Sequence, residues 1–235
     1  MGKRLKIQRR GKGTPKYRST IHAKVDVRYL PDNKLINGQI VDMITDPVRS
    51  APLAKIILED GRIVYNICAS GLITGQKIQI GSGATQGTGN ILPLSEIDTG
   101  KQVYNIEKNY GDGGKFVRSA GQSATIVAKK EDVTIKLPSG ELRSFPLNVR
   151  ATIGVIASSG KQNKPYVKAG NKYKAMKAKG KPYPIVRGVA MNAVDHPFGG
   201  YQHHVGHSKS TSRHAPPGRK VGAIASSRTG RRKKN

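Results

Sequence analysis

The sequence predicts an all-β protein in which two small barrels in series lie between long basic N- and C-terminal extensions. Three observations predict it. Of 42 Lys and Arg against 14 Asp and Glu, residues 25–141 hold 13 of each, so the formal net charge of +28 belongs to the flanks, where Asp195 is the one acid. Short runs of alternating apolar and polar residues recur through the balanced middle, joined by Gly-rich turns. After Ile156 that pattern stops, and lysines recur with no apolar face opposite them.

Residues 1–24 form the basic N-terminal extension, turn-rich in RRGKGTPKYR. Ile21, Ala23, Val25, Val27 and Tyr29 then alternate with polar residues and predict a leading strand. GQIVDMIT, AKIILEDGRIVYNI with Asp60-Gly61 as its hairpin turn, and QKIQIG complete a first barrel over residues 25–99. GSGATQGTGN resembles a phosphate-cradling loop. It lacks the Lys-Ser/Thr of a P-loop and stands between strands, so it is read as a turn. KQVYNI, KFVRS, ATIVAKK, VTIKL, LRSFPL and ATIGVI, with a turn at Pro138-Ser139-Gly140, predict a second barrel over 100–175, the boundary falling at Thr99-Gly100. NKYKAMKAKG supports only a short helix. Residues 176–235 form an extended basic C-terminal segment that alone lacks the apolar content to fold.

Composition narrows the function. With 36% hydrophobic residues, 5% aromatics and no Trp, only part of the chain is core, and a single cysteine, Cys68, excludes an intrachain disulfide. No run approaches the ~18 apolar residues of a membrane span, and the basic start MGKRLKIQRRGKG leads into no apolar signal stretch, so an intracellular protein is expected. Solubility alone needs a net charge of only about 2 to 8. Polybasic membrane anchors come with amphipathic helices, whereas these flanks carry Gly and Pro. The expected partner is therefore nucleic acid. With no helix-turn-helix, zinc finger or basic zipper in view, folded RNA fits better than DNA.

The candidate phosphate contacts are Arg4, Arg9, Arg10, Lys16 and Arg18 at one end and Arg213, Arg219, Lys220, Arg228, Arg231 and Arg232 at the other. Between them stand Arg118, Arg150, Lys161, Lys168, Lys172 and Arg187. Guanidinium groups fork onto phosphate oxygens, and Lys adds point charge. Tyr17, Tyr166, Tyr173, Tyr183, Phe198 and Tyr201 offer flat faces to unstacked bases. His203, His204, His207 and His214 cluster, but Gly and Pro oppose the helix that would converge them and no Cys is near, so no metal site is assigned. Ser208, His196 and Asp195 contain the residue types of a hydrolytic triad without a nucleophile elbow, so no catalytic residue is assigned. Asp195 is read as an acceptor that fixes its own loop by holding a nearby Arg, against the plainer reading of an incidental surface acid.

GNILPL (89–94), YNIE (104–107), RSAGQSA (118–124), LPSGE (137–141), RATIG (150–154) and VRGVAMNAVDHPFGG (186–200) closely resemble the universal large-subunit ribosomal protein L-two family. APPGRKVGAIASSRTG (215–230) is similar to its archaeal and eukaryotic branch, and the resemblance spans nearly the whole chain. It implies an OB-fold barrel followed by an SH3-like barrel, with extensions threaded into large-subunit rRNA. It further implies a non-enzymatic, cytoplasmic constituent of the ribosome that supports assembly, subunit association and the peptidyl-transferase region. Its partners would be rRNA, neighbouring ribosomal proteins and the small subunit, with no membrane, no small-molecule substrate and no cofactor beyond Mg²⁺ shared with rRNA. The family's glycine-rich loop maps to Arg187–Gly200, with Asn192, Asp195 and His196 at matching positions. Ala193 and Phe198 stand where the bacterial pattern has Pro and His, leaving His196 the one imidazole of that pair. The rival readings are a free-standing OB-fold RNA-binding module and a His-dependent hydrolase or transferase.

Overall fold

In the computed structural model, which describes residues 2–23, 25–228 and 230, strands dominate and helices are few and short. Residues 22–165, which contain the charge-balanced middle, form one compact unit. Strand β1 (Ile36–Ile44) pairs antiparallel with β2 (Leu53–Leu58) and β4 (Lys77–Ile80), and β2 pairs with β3 (Ile63–Ile67) across the Asp60-Gly61 turn. A register shift between Ile40 and Asp42 marks a bulge in β1. Alternation drives the pairing: Ile40, Leu53, Ile56, Ile67, Ile78 and Ile80 are essentially sealed from solvent and share one core. Each such side chain contributes about 1.5–3 kcal/mol by burial.

The second half comprises β5 (Ile91–Pro93), β6 (Gln102–Tyr104), β7 (Ala124–Lys129), β8 (Asp132–Lys136), β9 (Leu142–Pro146) and β10 (Arg150–Ile153). Strands β6 to β9 form a meander and β10 returns beside β6, the strand order of an SH3-like barrel. Val103, Ile126, Val133, Ile135, Phe145 and Val149 form its separate core. The Ser139-Gly140 turn joins β8 to β9, with the Gly140 N–H donating to Leu137 O at 2.8 Å. The all-β class and the OB-then-SH3-like order hold, and one continuous sheet, β3-β2-β1-β4-β5-β10-β6-β7-β8-β9, runs through both halves.

Several local expectations fail. Among the described residues of 21–29 the expected leading strand does not form, although Val27 and Tyr29 are buried and Arg28 between them is exposed. Arginine side chains occupy carbonyls of this segment in place of a neighbouring strand: Arg49 donates to Val25 O, Arg118 to Val27 O and Arg150 to Leu30 O. KFVRS contributes only an isolated bridge between Phe116 and Ile106. The first strand of the second half, β5, is just three residues long and pairs with both β4 and β10, Ile91 packing in the first core and Leu92 in the second.

Residues 166–175 also leave the second barrel. They belong to a second compact unit made of residues 1–21 and 166–235. Here the Lys3 N–H donates to Val194 O at 2.8 Å and the Thr20 N–H to Ala178 O at 3.0 Å, so the two flanks pack on each other where separate extended arms were expected.

Candidate nucleic-acid interface

The flank unit displays the cations. Helix α1 (Lys6–Gly11) starts where the Gln8 side chain accepts the Leu5 N–H at 2.9 Å, and Arg9 and Arg10 in its last turn lie exposed. Cations there also suit the helix dipole. Helix α2 (Ala169–Ala178) buries no residue. Without an apolar stripe it is a carrier of lysines, one of which, Lys172, stands 5.1 Å from the Tyr183 ring centroid. The short parallel pair β11 (Ser210–Thr211) and β12 (Ala223–Ile224), closed by Thr211 Oγ1 donating to Val221 O at 2.6 Å, presents Arg213, Arg219 and Lys220 on its exposed connection.

The Arg187–Gly200 loop is held largely by itself. Ala190 N–H donates to Arg187 O, Asp195 and His196 N–H both to Asn192 O, and Gly199 N–H to His196 O. The Phe198 N–H donates to His196 Nδ1 at 3.1 Å, so that nitrogen is unprotonated and the ring proton sits on Nε2. Burial pushes the His196 pKa below its ordinary value, in agreement with a neutral ring. A Cβ on Gly188 would stand 2.3 Å from His196 Cε1, so only glycine permits this approach. His196 meets Phe198 edge-on at 5.2 Å, and Phe198 meets His207 at 5.5 Å. Asp195 faces Lys3 at 3.9 Å, a lysine from the other end of the chain where an Arg was expected. Both groups are largely exposed, so the pair stabilises the loop only weakly.

The sequence candidates divide by location. Arg4, Arg9, Arg10, Lys16, Arg18, Lys168, Lys172, Arg187, Asn192, Asp195, His196, Arg213, Arg219, Lys220 and Arg228 lie together in the flank unit. Lys161 is exposed in the β unit and donates to Ser50 O at 3.1 Å. Arg231 and Arg232 lie outside the described residues.

Arg150 is a correction: it is 1% exposed, with its guanidinium on Glu107 and on the carbonyls of Leu30 and Asp32, so it has no donor to offer a phosphate. Arg118 is half-buried, with two nitrogens on Gly114 O and Val27 O, and burial and neighbouring Arg49 lower its pKa. Both arginines hold the β unit together. Their spacing in the sequence carries no sign of this, because the partners come from distant segments. Among the described residues, no three His, Cys, Asp or Glu side chains converge on a possible metal position, and no helix is long and apolar enough to cross a membrane.

Comparison with known families covers both units. A model described as Ribosomal Proteins L2, RNA binding N-terminal domain, matches residues 3–80, and one for the C-terminal domain of the same proteins matches residues 87–220. The chain belongs to the ribosomal protein L2 family. The gap between the two matches, residues 81–86, falls within the loop that joins β4 to β5. Relatives named large ribosomal subunit protein uL2 include those of Halorubrum lacusprofundi, 52% identical over 98% of both chains, and Methanosphaera stadtmanae, 50% identical over 99% of this chain and all of that one. The protein of Haloarcula marismortui is 50% identical over 98% of both chains.

The fold brings into one cleft cations that sequence reasoning did not single out as candidates. Lys6 and Lys181 come from opposite ends of the chain and line one cleft with Tyr17 and Tyr173. Only the antiparallel meeting of residues 17–20 with 178–181 makes them neighbours.

Proposed function

We propose that this protein is a non-enzymatic constituent of the large ribosomal subunit that binds rRNA, with the barrels as a rigid support and the flank unit as the principal RNA surface. The observation that carries this reading is the sorting of charge: the β unit sets 13 Asp and Glu against 18 Lys and Arg and buries Arg150 on Glu107, while the flank unit holds 24 Lys and Arg against one acid, Asp195. Arg150 and Arg118 are spent on Glu107 and on backbone carbonyls, whereas Arg4, Arg9, Arg10, Arg187, Arg213, Arg219 and Lys220 are exposed. A surface of uncompensated cations binds polyanions by releasing their counterions.

The Arg187–Gly200 loop is the segment assigned to the peptidyl-transferase region, as a structural support. Its glycines let the loop fold closely on itself, Gly188 against His196 and Gly199 against the Met191 and Asn192 carbonyls, and His196 is committed to Phe198. Neighbouring ribosomal proteins, the small subunit and Mg²⁺ bridging protein to phosphate complete the expected surroundings, in the cytoplasm. Cosedimentation tests the reading. The full chain is expected to stay with large subunits through washes that strip cycling factors; its release into the free pool at moderate salt would favour a free-standing RNA-binding module.

A further inference from the structure

The flank unit contains a cleft with a specific composition. A cavity of about 440 Å³ is walled by Tyr17, Tyr173 and Tyr183. Five cations share its lining, Lys6, Lys16, Arg18, Lys177 and Lys181, without a single Asp or Glu. Among the described residues none of these five is paired with a carboxylate. The two chain ends build the cleft together. Ser19 Oγ and the Thr20 N–H both donate to Ala178 O. Gly180, at φ +64°, lies where a Cβ would fall 2.6 Å from Tyr17 O, so the crossing is tight and admits only glycine.

Each component of the cleft sets a requirement. Five unpaired cations at close quarters repel one another until an anion enters. Tyr173 leaves half of its surface exposed, and Tyr17 and Tyr183 are partly exposed. Such rings gain most from a flat partner, since base stacking on an aromatic is largely independent of base identity. Paired RNA would satisfy the cations and leave the rings bare, because duplex bases already stack on each other. An acidic peptide would do the same.

We infer that the cleft takes a single unpaired RNA nucleotide, its base against the tyrosines and its phosphate against the lysines and Arg18. The inference rests on the RNA-binding reading above and narrows it to one site. The flanks would then anchor to RNA by a splayed-out base as well as by charge.

The test uses the full-length chain and two RNA probes, a short perfect duplex and the same duplex carrying one bulged 2-aminopurine. The chain has no Trp to interfere with the 2-aminopurine emission. The bulged probe is expected to bind more tightly, with its emission quenched on binding. Tyr173→Leu and Tyr183→Leu are expected to weaken bulge binding by about 5- to 150-fold, the size of one base–aromatic stack. They should leave duplex binding unchanged, and Tyr173→Phe, which keeps the ring, should retain tight binding. Equal affinity for both probes, or unquenched emission, would overturn the cleft assignment while the wider RNA-binding reading stands. Displacement of the bulged probe by oligoglutamate as readily as by unlabelled bulged RNA would overturn it too, by showing that charge alone is recognised. Failure to bind either probe would remove both readings.

Discussion

Arg150 and Glu107, forty-three residues apart in sequence, form a forked ion pair sealed inside the β unit. Nη2 lies 2.8 Å from Oε1 and Nε 3.1 Å from Oε2, and the two side chains are 1% and 0% exposed. The carboxylate also accepts the N–H groups of Arg150 and Gly113, and the guanidinium stacks 4.8 Å from the Tyr110 ring centroid. Residues 30–32 are thereby tied to the second barrel through Arg150, because Leu30 and Asp32 offer their carbonyls to the same guanidinium.

Breaking that pair from one side leaves a buried charge alone. Glu107→Ala is expected to destabilise the protein by about 3–5 kcal/mol, read from urea unfolding by circular dichroism. The apolar double replacement Glu107→Leu with Arg150→Met is expected to cost less than either single change, since it strands no charge. A Glu107→Ala variant as stable as the parent would show that the pair contributes nothing net.

Tyr29 joins the same buried polar seam. Its hydroxyl donates to Asn105 O and lies 2.7 Å from Thr152 Oγ1, which also receives Asn66 Nδ2. Tyr29→Phe strands buried acceptors and is expected to cost about 1–3 kcal/mol. Burial raises the pKa of both Tyr29 and Tyr104 far above the usual phenol range. Between the ordinary value near 10 and that raised value, the folded state holds more protons than the unfolded one. Stability is therefore present below about pH 10 and falls as pH rises above it. Absorbance at 295 nm should show late ionisation coincident with unfolding, and Tyr104→Phe should remove part of that late step.

His196 behaves in the opposite sense. Its pKa is lowered by burial, so its contribution to the loop is present above about pH 6.5 and is lost as pH falls through the depressed folded value. Protonating Nδ1 also removes the acceptor for the Phe198 N–H. Proton NMR of the imidazole should show a titration below the free-histidine value, with the Phe198 amide shifting in step. In Gly188→Ala the added methyl displaces the ring, and the titration should move toward that of an exposed histidine.

Charge sorting predicts different fates for two classes of arginine. If ~6 to 10 flank cations pair with phosphates, rRNA affinity should fall about 10³- to 10⁵-fold between roughly 50 and 200 mM salt. Replacing Arg213, Arg219 and Lys220 together by Gln should flatten that slope without lowering stability. Arg150→Gln should do the reverse, lowering stability at an unchanged slope. Filter-binding titrations across a salt series, paired with unfolding curves, separate the two.

The sequence by itself determined the strand-rich middle, its hairpin turns at Asp60-Gly61 and Ser139-Gly140, and the concentration of positive charge in the flanks. Alternation, turn residues and charge are local properties, written within a few residues of where they act. Only the tertiary structure decided which cations are spent. Arg150 resembles any flank arginine in sequence, yet Glu107 and two distant carbonyls consume it. Val27 and Tyr29 carry the alternation of a strand, but arginine side chains occupy carbonyls that a neighbouring strand would have taken. Lys6 and Lys181 share a cleft because Thr20 meets Ala178. Side-chain pairing between remote segments leaves no periodic trace in a sequence, so burial, pairing and shared clefts become visible only once the chain has closed on itself.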